Sequence, residues 1–227
     1  SINEIQYPAQ YQDISFGVPA FMDADHEYQF HLRPTAGRVN RGLHAPLGPA
    51  DDITFSDDSR LLESPVTVTI SVAETDSPAH IRYTLDRSEP GPSSHEYLGP
   101  IAIDRSMTIR ARAMPPGHLP GPTTTRSFVM MGDDVRTFSS NLPIIVADSG
   151  GVDIDSDSAP ESPRPHRPVF AAAFDLHEVT KRASLSDEPM FKGMSGMHVR
   201  GNTSARLFQK KQYAWEVRDE SGDDRDV

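Results

Sequence analysis

Turn-forming residues divide this chain into short segments, and their spacing constrains the fold more than any other sequence feature. The 227 residues include 20 Pro and 15 Gly. Between these breaks lie short runs in which polar and apolar side chains alternate. Alternation with period two is typical of half-buried β-strands, and no stretch combines a helical period with helix caps. The pattern predicts an all-β protein with an immunoglobulin-like β-sandwich.

The clearest strands lie between residues 56 and 131. In segment 65–73, aliphatic residues occupy every second position: Val66, Val68, Ile70 and Val72. Further strands are predicted at 80–85, 101–103, 107–113 and 124–130. Sequences rich in proline and glycine separate these strands, as turns require. We therefore predict one small β-sandwich over residues 56–131.

Two partial β-rich units flank the predicted sandwich. Residues 1–50 are expected to hold the end of one β-domain and a linker. Residues 138–227 are expected to begin another, with strands at 142–147, 169–175, 197–200 and 212–217. Segment 148–168 is rich in Asp, Ser, Pro and Gly. That composition buries too little surface to offset ordering entropy, so we predict a mobile loop.

Composition excludes several functions. The chain carries 22 Lys and Arg against 33 Asp and Glu, a net charge of −11. Its basic residues are scattered, whereas a nucleic-acid binder needs a clustered basic face. No apolar run approaches the length of a membrane span. The chain has no Cys, which excludes disulfides, thiolate zinc sites and cysteine nucleophiles. No nucleophile-elbow sequence occurs, and we predict no catalytic residue.

The predicted sandwich resembles a known family. The resemblance rests on three sequences: Ile-Arg-Tyr-Thr-Leu-Asp-Arg-Ser-Glu-Pro at 81–90, Tyr-Leu-Gly-Pro-Ile at 97–101 and Thr-Ile-Arg-Ala-Arg-Ala at 108–113. In order and spacing they are similar to the immunoglobulin-like domain at the C-terminus of chitobiases and β-hexosaminidases. The resemblance implies an accessory module without catalytic residues. Arg87 stands where this family usually has Gly, and Arg disfavours a positive φ.

Two further resemblances concern the flanks. Three sequences resemble the N-terminal part of the CotH kinase-like domain. They are Phe-Ser-Ser-Asn-Leu-Pro-Ile-Ile-Val at 138–146, Met-His-Val-Arg-Gly-Asn-Thr-Ser at 197–204 and Lys-Lys-Gln-Tyr-Ala-Trp-Glu-Val at 210–217. Asp-Ile-Ser-Phe-Gly at 13–17 and the run at 33–40 resemble the end of a lamin-tail domain. This domain order is similar to that of large secreted bacterial proteins. We therefore expect the chain to be a piece of such a protein.

The kinase-like resemblance implies candidate nucleotide-phosphate ligands at Arg200, Asn202, Lys210 and Lys211. A lysine at 210 or 211 would contact phosphate as a point charge. The alternative is that residues 200–202 form a structural turn. The resemblance puts the metal-binding acids of the family after residue 227. Mg and ATP are therefore expected only in a complete kinase-like parent, and no cofactor is expected in this chain.

Asp153, Asp155 and Asp157 have the one-three-five spacing of calcium loops. The rest of the loop does not fit an EF-hand, because Ser158 replaces the turn glycine and Arg164 replaces the bidentate glutamate. A loose calcium site is one interpretation. A solvated acidic loop is the other, and composition favours it.

Three aromatic residues are candidates for stacking on sugars. Trp215 and Tyr213 share one face of a predicted strand, and Tyr83 shares a face with Ile81. Core packing is the predicted role of all three.

Together these observations predict a non-catalytic, extracellular structural or interaction module. Its expected partners are other domains of the same chain, extracellular proteins or a polysaccharide. Two alternatives stay open. One is the N-terminal portion of an atypical kinase with an accessory sandwich, and the other is a carbohydrate-binding module.

Overall fold

The structure, a computed structural model, describes residues 14–18, 28–31, 38, 44–45, 48–72, 80–154, 165–201, 205, 207–220 and 222. These residues confirm the predicted all-β fold class. Strands β1 to β9 are, in order, Ser15–Gly17, Gln29–His31, His44–Ala45, Ile53–Phe55, Arg60–Leu62, Val66–Val68, Ile70–Val72, Ile81–Thr84 and His95–Glu96. Strands β10 to β18 are Ile101–Ile103, Met107–Ala113, Thr124–Met130, Ser139–Ser140, Ile144–Asp148, Arg167–Phe174, Ala183–Ser184, Phe191–Arg200 and Gln212–Val217. In this part of the chain no helix is long and apolar enough to cross a membrane.

The central unit is a β-sandwich. One layer is a five-stranded sheet in the order β5-β12-β11-β8-β9, and the other consists of the pairs β4-β7 and β6-β10. All of these pairings are antiparallel except that of β5 with β12. The two layers enclose one apolar core, which includes Phe55, Leu62, Val68, Ile70, Ile103, Ile109 and Phe128. This core fixes the strands from which the turn after β8 and the edge strand β5 extend.

The strand predicted at 65–73 divides into β6 and β7, which belong to different sheets. The break falls at Thr69, whose backbone N–H donates to Ser56 Oγ at 2.9 Å. The carbonyl of Thr69 accepts a bond from the Ser56 N–H at 2.9 Å. The predicted alternation of faces is confirmed, because Val68 and Ile70 are buried while Thr69 is exposed.

Strand β4 is an element that the sequence pattern does not predict. It lies before residue 56, pairs with β7, and buries Ile53 and Phe55 in the sandwich core. Acidic and polar residues surround this short strand on both sides, which makes the segment resemble a linker. Pairing with β7 satisfies the backbone hydrogen-bonding groups of β4, which an isolated strand leaves without partners.

A second sheet of order β14-β15-β17-β18 packs on the sandwich as a third layer. Phe170, Ala172 and Phe174 of β15 are buried on one face of this sheet. Leu61 and Val129, on the outer face of the five-stranded sheet, pack against them. The β5 and β12 side of the five-stranded sheet is therefore covered on both faces, by its own core on one side and by the second sheet on the other.

The N-terminal strands form a small sheet beside the sandwich. The order is β1-β2-β3, with antiparallel pairing. Phe30 of β2 packs against Leu119 of the sandwich, with Ile14 and Phe16 beside it. The N–H of Ala50 also donates to the Leu119 carbonyl at 2.9 Å. These contacts tie the first described segments to the central unit.

The segment predicted as a mobile loop, 148–168, is bounded by regular structure. Asp148 ends β14, and Arg167 begins β15. These strand ends correct the two boundaries of the predicted loop. Residues 155–164 lie outside the described residues, so the mobility of this segment stays a prediction.

Candidate functional site

The turn after β8 holds Arg87 in a left-handed conformation, with a φ of 67°. Asp86 Oδ1 shapes the turn by accepting bonds from the Ser88 hydroxyl at 2.5 Å and the Ser88 N–H at 3.0 Å. These bonds hold the pKa of the Asp86 carboxyl below its ordinary value. A left-handed conformation costs a non-glycine residue about 1–2 kcal/mol. The bonds between Asp86 and Ser88 and the contacts of the Arg87 side chain both act against that cost.

The guanidinium group of Arg87 reaches from the sandwich to the second sheet. Its Nη1 donates to the carbonyl oxygens of Ser149 at 2.5 Å and Pro168 at 2.9 Å. Its Nη2 lies 3.5 Å from Asp148 Oδ2. Burial lowers the pKa of Arg87 below its ordinary value, and the charge of Asp148 offsets only part of this effect. Gly150 permits this approach, since a side chain there would collide with the guanidinium.

Arg126 of β12 forms a second link between the same two units. Its Nη1 lies 2.6 Å from Glu220 Oε1, just beyond β18, and its Nη2 lies 3.5 Å from Asp58 Oδ1. The guanidinium is also 5.6 Å from the ring centre of Phe55, within cation–π range. Both carboxylates are exposed, and exposed ion pairs contribute little. Arg87 is therefore the stronger of the two links.

A buried seam joins the sheets between these links. Ser127 Oγ lies 2.9 Å from Thr108 Oγ1 and donates to Met194 Sδ at 3.5 Å. Toward β5 the seam becomes apolar, where Leu61 and Val129 pack against β15. Buried hydrogen bonds and apolar contacts both favour one fixed packing of the two units.

A groove of about 400 Å³ opens where this seam ends. One wall is the whole of β5 with the two residues that follow it, and the opposite rim is the segment from Leu185 to Pro189. The floor consists of Phe170, Ala172 and Phe174. The floor residues are at most 2% exposed, so the accessible lining of the groove is mostly its polar rim.

The predicted phosphate ligands lie at the end of β17 and before β18. Arg200 is exposed and pairs with Gln212. Lys211 Nζ donates to the backbone carbonyl of Ala205, while Lys210 is exposed. Asn202 lies outside the described residues. The two lysines precede β18, so strand alternation does not determine their directions, and a phosphate-binding role stays a prediction.

The predicted calcium ligands are only partly described. Asp153 is exposed in the segment after β14, and Asp155 and Asp157 lie outside the described residues. Within the described ranges, no three His, Asp or Glu side chains are grouped so that they could hold a metal ion. A calcium role for this segment therefore stays a prediction.

The aromatic residues divide into two groups. Tyr83 packs against the sandwich core, as predicted. Core packing was the wrong prediction for Tyr213 and Trp215, each of which is 39% exposed on edge strand β18. The ring of Trp215 meets Phe191 edge-on at 5.8 Å. Sequence alternation identified the shared face but not that this face of the edge strand is only partly covered.

The fold and the packed junction define an immunoglobulin-like β-sandwich joined to a second sheet. A family model described as the chitobiase/beta-hexosaminidase C-terminal domain matches residues 60–125. This match confirms the resemblance of the central segment, and domains of that family are immunoglobulin-like and non-catalytic. No curated protein matches the chain, and no solved structure does. The lamin-tail and CotH resemblances of the flanks stay predictions.

Proposed function

We propose that this chain is a non-catalytic structural and interaction module of a large secreted or cell-surface bacterial protein. The observation that supports this most is the junction made by Arg87. Separating the two units would break the hydrogen bonds of Arg87 and expose the apolar contacts of Leu61 and Val129 with the second sheet to water, which is costly. Such a junction holds two units at one distance and angle, as a spacer requires. The family match to an accessory domain supports the same function.

The surface charge suits a module that does not associate with copies of itself. The chain carries a net charge of −11, and a large net charge limits self-association. The partners of this module are other domains of the same chain or extracellular proteins.

Paired spin labels test the rigid junction, because the chain contains no cysteine. We expect labels at Thr67→Cys and Glu178→Cys, both exposed positions on the two units, to give one narrow distance distribution by pulsed electron paramagnetic resonance. A second pair of labels at Asp104→Cys and Pro116→Cys, beyond the two ends of β11, gives the width of the distance distribution within a single rigid unit. A distribution between the units that is much broader than this reference would contradict the spacer function.

Glycan binding is a second candidate function, which we propose because of the exposure of Trp215 and Tyr213. The two rings project from the same face of β18, and Phe191 lies beside Trp215. Aromatic faces carry negative charge density that attracts the polarised C–H groups of a pyranose ring. A polysaccharide chain lying along β18 would contact both rings.

The single tryptophan of the chain makes this candidate testable by fluorescence. We expect chitohexaose or cellohexaose to shift the emission of Trp215, and Tyr213→Ala to weaken binding roughly three- to tenfold through loss of one stacking contact. Phe138→Ala removes a ring that is 50% exposed elsewhere and should leave affinity unchanged. Constant emission up to millimolar oligosaccharide would exclude the glycan function.

A further inference from the structure

The outer face of the second sheet, which points away from the sandwich, carries a row of three residues from β15 to β18. Phe170 and Phe174 of β15 pack toward the sandwich, so the odd-numbered positions of β15 point away from it. Arg167 pairs with Met197, which in turn pairs with Trp215. Residues directly opposite each other in antiparallel strands share a face. The row therefore places a cation and an aromatic ring on the same surface.

Arg167 is the only charged residue on this face of the four strands. It is exposed and makes no hydrogen bond or ion pair of its side chain within the described part of the chain. Trp215 is 39% exposed. The two residues are separated by two strand spacings, about 10 Å between their Cα atoms. A sugar unit stacked on Trp215 can therefore bring its own substituent, or that of the next unit, within reach of the Arg167 guanidinium.

The segment that contains β17 and most of β18 is basic, although the whole chain is acidic. Between Glu188 and Glu216 the sequence has five Lys and Arg and no acidic residue. Antiparallel pairing brings the start of β15, the end of β17 and the start of β18 to one end of the sheet, where Arg200 and Lys210 are exposed. Glu216 lies on the opposite face from its neighbour in β18 and is paired with Arg218 at 2.6 Å. The surface around the row therefore favours an anionic ligand.

We propose that this row binds an acidic polysaccharide built of hexuronate units. A pyranose ring stacks on Trp215, and a uronate carboxylate accepts two parallel hydrogen bonds from the Arg167 guanidinium. A neutral glycan makes the first contact but lacks the ion pair of the second. A nucleic acid would need several cations along its backbone, whereas this face holds one. The inference rests on the glycan candidate and deepens it by naming the charge of the ligand.

A matched pair of ligands tests the charge of the glycan. Hexaglucuronate with β-1,4 linkages is cellohexaose in which each primary alcohol is replaced by a carboxylate. Titrated into the full chain, hexaglucuronate should shift the emission of Trp215 and bind at least tenfold more tightly than cellohexaose, because it adds a charge-assisted pair of hydrogen bonds. Raising NaCl from about 50 to about 500 mM should weaken hexaglucuronate binding and leave cellohexaose binding unchanged.

Substitution of Arg167 tests the assigned contact. We expect Arg167→Gln to weaken hexaglucuronate binding roughly tenfold and to leave cellohexaose binding unchanged, since only the charged ligand pairs with the guanidinium. Arg167→Lys keeps the charge but not the two parallel donors, so it should retain part of the affinity. The matched control is Arg105→Gln, which removes an exposed guanidinium on the sandwich and should leave both affinities unchanged.

Several outcomes would overturn the inference. Equal affinity for the two hexasaccharides would reject the acidic ligand and leave the glycan candidate intact. Constant emission with both would reject the glycan candidate as well, while the spin labels would still decide the structural module. Unchanged hexaglucuronate binding by Arg167→Gln would reject the row as the site. Binding to phosphatidylglycerol vesicles but not to hexaglucuronate would identify a lipid surface as the partner instead.

Discussion

Replacing Ile70 by alanine should destabilise the sandwich by about 2–5 kcal/mol, the usual cost of removing a buried aliphatic side chain. Ile70 is 5% exposed and belongs to the same core as Phe55 and Phe128. The backbone N–H of Ile70 donates to Tyr97 Oη at 3.0 Å, and alanine keeps this bond. The loss therefore reports side-chain burial and the cavity left behind. Equilibrium unfolding in urea measures it.

Thr69→Ala is the matched control for this prediction. Thr69 is adjacent but exposed, and its bonds to Ser56 use backbone atoms that alanine retains. We expect a change below about 0.5 kcal/mol, as is usual for surface substitutions. Ile70→Val should destabilise the sandwich by an intermediate amount, about 0.5–1.5 kcal/mol. Equal losses at positions 69 and 70 would mean that the sandwich core lies on the other face of this segment.

The contrast between these two positions shows what alternation in the sequence could predict. Val66 to Val72 alternate without interruption, so the buried face was predictable from period two alone. The division into β6 and β7 was not predictable, because it depends on pairing with β10 and β4. Strand partners are chosen by long-range contacts that leave little trace in a local pattern.

The aromatic residues show a second limit of sequence reasoning. Trp215 and Tyr213 are two positions apart, which fixed that they share a face. Whether that face is covered depends on which sheet surface the sandwich occupies and on the edge position of β18. The groove beside β5 was equally invisible in the sequence, because it requires two units to meet.

Arg87→Ala should loosen the junction between the two units and destabilise the chain by about 2–3 kcal/mol. Hydrogen bonds from a charged donor contribute about 1.5–3 kcal/mol, and their loss leaves the Ser149 and Pro168 carbonyls without this donor. The side chain is only 12% exposed, so water screens these contacts weakly. Urea unfolding measures the loss, and the spin-label distribution between the units should broaden. Arg105→Ala, at an exposed ion pair with Asp104, should change neither quantity.

Arg87→Gly separates the contacts of the side chain from the strain of the backbone. Glycine loses the same hydrogen bonds but adopts the φ of 67° without the penalty of about 1–2 kcal/mol. It should therefore be less destabilising than alanine by roughly 1 kcal/mol, after its greater unfolded-state entropy is included.

Gly150→Ala tests the same junction through the segment that contacts the Arg87 guanidinium. Gly150 has a φ of 59°, so alanine adds backbone strain there, and its methyl group would also meet the guanidinium of Arg87. Both effects should broaden the distance distribution as Arg87→Ala does. The sequence could not predict the junction, since its partners lie 62 and 81 residues further along the chain. It offered one signal, an arginine at a turn position where glycine was expected. If Arg87→Ala leaves the distribution narrow, the seam between Ser127 and Met194 holds the two units and Arg87 only shapes its own turn.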